Sequence, residues 1–445
     1  MNDDLLNLAQ DVISRVKKLG ADGADALAVS SQGTDIEMRE GEIEKLERTE
    51  ASAVGLRVFV GQSSAMISGS VFSEEALNRL AETALAMAKA TPPDELAGLA
   101  PAELLATDIA ELDLYSDQEL DAESLKSLAF RTEQTAREVS GVTKSGGASA
   151  AASKRRIALV TSHGFAKTYQ RSNYSISVSA IAGEGTGMER DYDYSSASHF
   201  EDLKSPEDVG RRAGERAVKR LAPRKISSQS VPIIYDRRVA SSLVGHLSSA
   251  INGAAIARGT GFLKNSMGEK IFASGISIVD DPLRKRGMGS RPFDGEGLTC
   301  SRRDMVSNGV LKGWFLDLRS ARQLGLPATG NGSRGLSSPP SPSSSNLYLE
   351  AGQQSLEDMI SSIKRGLYVT ELIGNSVNMV TGDYSRGTSG FWIEDGQLAY
   401  PVSEITIAGN LRDIFLALQP ASDLEFKSAT NAPSCLVDGL TIAGT

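Results

Sequence analysis

The first half of the chain repeats itself. Leu5, Leu8, Val12, Val16 and Leu19 recur at helical spacing, and Gly20 supplies a stop. Strand-like segments follow at residues 26–29, 35–39, 43–48, 53–60 and 64–71, with Gly41 and Gly61-Gln62 as turns. Ser73 then caps a helix running to Ala90. The pattern returns roughly 120 residues later. Asp121 caps a helix carrying Leu125, Leu128, Ala129, Thr132 and Val139, and Gly141 stops it. Strands are expected at 147–153, 156–161, 166–171, 174–182 and 187–194, with Gly164 and Gly183 where Gly41 and Gly61 stood. Ser205, with Pro206 at the first helical position, opens the closing helix. A helix–strands–helix unit present twice points to paired layers, because a solenoid needs about three repeats or more.

Residues 91–121 join the copies. They contain Pro92-Pro93 and several acids and read as a linker. A second boundary falls at Leu221-Ala222-Pro223-Arg224-Lys225. Beyond it come an apolar strand at 231–235, one helix from about 236 to 257, and many short strands with glycine turns, such as 275–279, 310–318, 390–393 and 405–408. Residues 355–364 read as a further helix. Short strands at regular spacing predict a sandwich or barrel-like β domain. The expected architecture is α+β. An N-terminal domain spans 1–224, with similar copies at about 1–91 and 121–222, and a β-rich domain spans 225–445. Residues 329–346, TGNGSRGLSSPPSPSSSN, form the one low-complexity stretch and predict a long flexible or extended loop.

Composition narrows the function. At 445 residues the chain can bury a sizeable core, and 40% hydrophobic with 23% charged residues is ordinary for a globular protein. The net charge of −9 counts against a nucleic-acid binder. Local basic runs, Arg284-Lys285-Arg286 and the helix with Arg211, Arg212, Arg216, Lys219 and Arg220, read as solvated faces. Two distant cysteines, Cys300 and Cys435, form no recognisable framework and suit a reducing cytosol. The N-terminus, MNDDLLNLAQ, lacks the pattern of a signal peptide, and no apolar run approaches the ~18 residues of a membrane span.

Chemistry-bearing patterns are few. Residues 239–257, VASSLVGHLSSAINGAAIA, carry one histidine and no acid, whereas a zinc-binding helix needs imidazoles on one face and a carboxylate to activate water. His246 reads as a core or interface histidine. His163 lies in a hairpin turn and His199 in a loop, with turn and surface roles. The densest constellation is 381–391, TGDYSRGTSGF, which lacks the Gly-x-Ser-x-Gly elbow. A substrate-contacting or strand-turn role fits it, since glycines let a bound chain approach closely. The Gly-x-Gly-x-x-Gly match at 330–335 precedes Ser338-Pro339-Pro340, not a helix, so it reads as loop. The acids Asp280, Asp281, Asp294 and Glu296 alternate with Arg284, Lys285, Arg286 and Arg291, and mutual pairing explains them more simply than a cation site.

The layout of residues 231–263, VPIIYDRRVASSLVGHLSSAINGAAIARGTGFL, resembles the centre of the TldD/PmbA family, also known as modulators of DNA gyrase. Similarity extends to VDDPLRKRGMGSRPFDGEG, LSSPPSPSSSNLYL, TGDYSRGTSGFWI and AYPVSEITIAGNLRDIF, and so runs to the C-terminus. The resemblance sets Gly245, His246 and Ala250 where the TldD branch has the His, Glu and His of a His-Glu-x-x-x-His metal motif. Cys435 falls where an apolar strand residue aligns, so that branch's C-terminal cysteine has no counterpart. The chain is therefore similar to the PmbA (TldE) branch, which lacks the motif.

The resemblance implies a cytoplasmic, non-catalytic subunit that joins a TldD-like metallopeptidase in a heterodimer processing unfolded peptides. Zinc is then expected in the partner and none in this chain, and the chain alone is expected to be a homodimer. Asp383, Tyr384, Arg386, Ser389 and Gly390, with the loop at 337–346, are the expected contacts to extended peptide. Two other classes stay open: a self-sufficient hydrolase using Ser or carboxylate chemistry, and an interaction protein acting on DNA gyrase.

Overall fold

The computed structural model describes residues 2–444. The first copy comprises α1 (Asn2–Lys18), β1 (Gly23–Arg39), β2 (Glu42–Val60), β3 (Ser63–Gly69) and α2 (Glu74–Ala90). The second comprises α3 (Ala122–Glu138), β4 (Val142–Thr161), β5 (Ala166–Ala182), β6 (Glu189–Ala197) and α4 (Pro206–Lys219). All six strands form one sheet, ordered β3-β2-β1-β4-β5-β6. The copies meet where β1 and β4 pair antiparallel, from Asp25 opposite Thr161 to Met38 opposite Ala148, which gives the sheet two-fold pseudosymmetry.

Local chemistry explains the helix ends. The Ser73, Asp121 and Ser205 side chains accept from the amides of Ala76, Ser124 and Asp208 at 3.3, 2.8 and 3.0 Å. Gly20 and Gly141, just past α1 and α3, share a φ of +99°, a conformation that L side chains rarely adopt. The strands run longer than their sequence predicts. Each predicted pair at 26–29 and 35–39, 43–48 and 53–60, 147–153 and 156–161, and 166–171 and 174–182 is one continuous strand. Around residues 30–35 the strand β1 is only partly covered, so apolar alternation lapses while the ladder continues.

One face of the sheet carries all four helices. Ala24, Ala26 and Ala28 pack with Val54, Leu56 and Val58 under α1 and α2, and Ile36, Met38, Ile176 and Val178 pack under α3 and α4. The opposite face presents Leu27, Val29, Ile157 and Leu159 to Ala106, Phe165 and Phe293. Residues 91–121 are thus a packed strap and not a free linker. Leu99, Ala100, Ala106, Leu112 and Leu114 are buried, and the Ala106 amide donates to Gly297 O at 2.9 Å.

The second half begins with β7 (Gln229–Tyr235), α5 (Arg237–Ala250) and α6 (Gly253–Ala257). Next come β8 (Ile278–Asp280), β9 (Arg303–Ser307), β10 (Val310–Leu311), α7 (Leu318–Leu324), β11 (Gly332–Ser333), β12 (Ser341–Pro342), β13 (Leu347–Leu349) and α8 (Leu356–Ser361). The chain closes with β14 (Arg365–Val377), β15 (Asp383–Glu394), β16 (Gln397–Asn410), α9 (Leu411–Ala417), β17 (Gln419–Pro420), β18 (Thr430–Asn431) and β19 (Cys435–Ala443). Strands β16-β15-β14-β7-β19 form a barrel, closed where β19 returns to pair with β16, so it has no open edge along that seam. A smaller sheet, β10-β9-β8-β13-β18, lies across α5. The fold is α+β with a barrel-like C-terminal half, as the sequence predicts.

Two local expectations are corrected. The single helix at 236–257 is broken, because the Asn252 side chain accepts from the amides of Ala254 and Ala255 and starts α6 anew. The low-complexity stretch is a built ribbon, β11 against β12. Its tip rests on the N-terminal sheet so closely that a Cβ on Gly55 would sit 2.0 Å from Leu336 O.

Buried charge joins the halves there. Asp25 on β1 binds Arg57 on β2 and Arg334 from the ribbon, all nearly inaccessible. Burial alone would raise the Asp25 carboxyl, but Arg334 and Arg57 outweigh it and hold it below its usual value. Beside them Asp294 accepts the amides of Glu296, Leu298 and Gly332 at 2.8–2.9 Å, and Glu296 accepts the Leu318 amide at 2.8 Å. The loop acids thus bind backbone instead of their neighbouring cations, because the chain turns the carboxylates inward. Burial, then the Asp294 charge, pushes Glu296 up to about 8. The folded state binds more protons here than the unfolded chain, so this contribution to stability is full below about pH 4.5 and is lost as pH rises through about 8. Glu296→Gln should remove that slope and melt about 2–5 °C above the parent at pH 9 by calorimetry, with the advantage gone near pH 5.

Candidate functional site

Helix α5 is set by the residue that caps it. The Asp236 side chain accepts the Arg238 amide at 2.8 Å and a hydrogen bond from the Tyr368 hydroxyl. Ala240, Leu243, Val244, Leu247 and Ala250 form its buried stripe, packed with Ile233, Tyr235 and Trp392. The small residues on the other side leave His246 half-buried.

His246 stands among polar atoms with few partners. Its Nε2 and the Arg386 Nε are buried with no hydrogen-bond partner among the described residues, and the buried Tyr235 and Tyr384 hydroxyls have only each other. The His246 ring meets Tyr384 edge-on at 6.0 Å. Burial, reinforced by the Arg386 charge, lowers His246 to about 4, so it is a neutral imidazole at physiological pH. The other two positions supply nothing. Gly245 faces open space, and Ala250 is buried. Cys435 on β19 is buried too, donates to Pro433 O at 3.2 Å, and has its thiol pushed up by burial. One imidazole beside a permanent guanidinium charge does not fit a zinc centre, which needs three or four convergent donors. Among the described residues no three His, Cys, Asp or Glu side chains cluster as metal ligands.

The 381–391 constellation is strand β15, and the barrel distributes it. Asp383 is exposed at the rim, accepting from Thr381 Oγ1 at 2.6 Å and Asn410 Nδ2 at 3.2 Å. Tyr384 and Arg386 reach His246, whereas Ser385 is exposed. Ser389 is buried at a bulge, accepting from Arg220 at 2.8 Å and donating to Glu371 at 3.0 Å. Gly390 is required by the barrel wall itself, since a Cβ there would lie 2.0 Å from Tyr368 O. The ribbon runs beside α5, with Asn252 donating to Pro342 O at 2.9 Å and Ser248 to Ser344 at 3.4 Å.

Several groups that shape this region carry no sequence motif. The basic run of α4 is divided: Arg211 and Lys219 are solvated as expected, whereas Arg216 and Arg220 at its end turn inward. Arg220 reaches Asp191, Glu189 and Glu371, and Arg216 binds the buried Asp193 at 3.0 Å. Arg238 of α5 binds Asp191 at 2.7 Å. Arg286 likewise pairs outside its own loop, with Asp113, Glu201 and Asp202. His199 is buried and hydrogen-bonded to Asp113 O at 3.0 Å, not at the surface, and His163 stays in its turn near Ala100 O. Only the helix position of the arginines, one turn apart on α4, could have marked a shared face.

Comparison with known proteins gives the family and the fold. PmbA/TldA metallopeptidase domain 1 matches residues 24–88, the central domain 115–221 and the C-terminal domain 228–444. Metalloprotease PmbA of Escherichia coli O157:H7 is 37% identical over 98% of this chain and 96% of its own length. The crystal structure of a candidate DNA-gyrase modulator from Bacteroides thetaiotaomicron superposes with a TM-score of 0.92 at 27% identity, covering 99% of this chain and 98% of that one. TldE from Thermococcus kodakarensis shares the fold, with a TM-score of 0.87 at 22% identity over 98% of this chain and all of that one. The chain belongs to the PmbA/TldD metallopeptidase family.

Proposed function

We propose that this chain is the non-catalytic, PmbA/TldE-type subunit of a cytoplasmic metallopeptidase, paired with a TldD-like subunit that holds the zinc and cleaves unfolded peptides. The observation that carries the reading is the donor set at the α5 site, where Gly245, His246 and Ala250 leave one imidazole facing Arg386. A guanidinium donates hydrogen bonds in a planar fork but does not activate water as a metal does. The β15 face and the adjoining ribbon then serve an extended peptide. Arg386 donates to its carbonyls, while Asp383, Tyr384, Ser389 and Gly390 shape the strand that presents it. Assembly has support in β2. Its residues 42–53 pair only with β1 among the described residues, leaving an edge with Ile43 and Leu46 exposed. Heterodimer with a TldD-like chain and homodimer alone are the expected states. The free, buried cysteines fit a reducing compartment, and among the described residues no helix is long and apolar enough to cross a membrane.

Chelator-free chain analysed for metal should hold well under one zinc per molecule; a stoichiometric, tightly held zinc would sink the reading. Co-expressed with a TldD-like chain, it should elute as a complex whose peptidase activity is abolished by chelator, and alone as a dimer in sedimentation at micromolar concentration. In that complex Arg386→Ala should raise KM several-fold with little change in kcat. Ser389→Ala should leave turnover within a few-fold of the parent. A loss of about 10³-fold in kcat with assembly intact would mark Ser389 as a nucleophile and favour the hydrolase alternative.

A further inference from the structure

A cavity of about 250 Å³ lies where β6 and α4 of the first half meet α5, β14 and β15 of the second. A space of this size admits several waters, or a carboxylate with one short side chain. Its wall includes four arginines, Arg190, Arg220, Arg238 and Arg386, but only two acids, Asp191 and Glu371.

The acids are already engaged. Asp191 binds Arg238 at 2.7 Å and Arg220 at 3.5 Å. Glu371 binds Arg220, Arg190 at 3.7 Å and the Ser389 hydroxyl at 3.0 Å. The nearby Glu189 and Asp236 are taken by Arg220 at 3.6 Å and Arg238 at 3.7 Å, and Asp236 also accepts from Tyr368. Arg386 is left over. Among the described residues no carboxylate reaches its guanidinium, and its Nε is buried without an acceptor. One further polar atom of a wall residue, Thr370 Oγ1, is buried without a hydrogen-bond partner among the described residues. Buried donors without acceptors are destabilising and rare, and the two residues that carry them, Arg386 and Thr370, both line this cavity. Thr370 also lies outside the register of β14 with β15, at a bulge between Val369 and Glu371, and its carbonyl accepts from Arg238 at 3.4 Å.

We infer that this cavity binds a carboxylate, the free C-terminal end of an extended peptide, with Arg386 as its charged anchor and Thr370 as a second donor. The inference rests on the peptide-path reading and adds to it the chemistry of one end of the ligand. A planar guanidinium matches a carboxylate with two parallel hydrogen bonds, whereas a terminal amide offers one oxygen and no charge. Selectivity for acid over amide is therefore the signature.

Titration calorimetry on the full chain would compare acetyl-Ala-Ala-Ala as free acid, the same peptide as its amide, and acetate. The acid should bind at least about ten-fold more tightly than the amide, a difference of about 1.4 kcal/mol. Arg386→Gln should reduce the acid to the level of the amide, and Arg386→Lys should restore part of the preference. Thr370→Val should weaken the acid several-fold. It changes little in shape, so it keeps the test open if the arginine variants fold poorly. Equal binding of acid and amide would overturn the carboxylate assignment while leaving the peptide path standing. Binding of neither would overturn it as well, with the path then judged by the Arg386→Ala kinetics of the complex. Acetate binding as tightly as the peptide acid would overturn the peptide-terminus assignment in favour of a small free carboxylate.

Discussion

Asp191 of β6 is almost inaccessible and receives two arginines, Arg220 from α4 and Arg238 from α5. Burial would raise its carboxyl, but the Arg238 hydrogen bond and charge outweigh that and hold it below its usual value. The two halves of the chain meet here. Removing one partner of a buried ion pair strands the other and is strongly destabilising, so the arrangement is rigidly specified even where its net gain is small. It fixes where α5 begins relative to the first sheet. Every polar atom of the candidate site is placed by that decision, because His246 sits two turns further along α5 and Arg386 faces it from β15.

A second anchor works at the other side of the sheet. Asp25, Arg57 and Arg334 tie the ribbon to β1 and β2, and Asp294 with Glu296 fastens the preceding loop through backbone amides. Between the two anchors the strap of residues 91–121 fills the apolar face. The halves are therefore held by charge at these buried anchors and at more exposed pairs such as Arg286 with Asp113, and by packing between them. The cavity with Arg386 lies beside the first anchor, where ion pairing uses up the acids and leaves one cation over.

Much of the fold was legible in the chain. Ser73, Asp121, Ser205 and Gly141 announced their helix ends because capping is a local hydrogen bond made by a few residue types. The duplication was legible because each copy buries one face against its own helices. The long strands were read as fragments, since periodicity reports burial and not the ladder. The ribbon was read as a loop because its ladder is only two residues long and is held from outside by side chains, as where Asn331 donates to Asp280 at 3.0 Å.

By itself the sequence determined the α+β order of elements, the twofold repeat, the β-rich character of the second half and the missing second imidazole on α5. These follow from neighbours a few residues apart, or from which residues are present at all. Only the tertiary structure decided which arginines pair with which acids, that Ser389 is spent between Arg220 and Glu371, and that Gly390 serves the barrel wall. It also decided that Arg386 stands beside His246 without a carboxylate. Those partners lie up to hundreds of residues apart, as Asp25 and Arg334 do, and a charge carries no sequence signal of which distant charge it will meet.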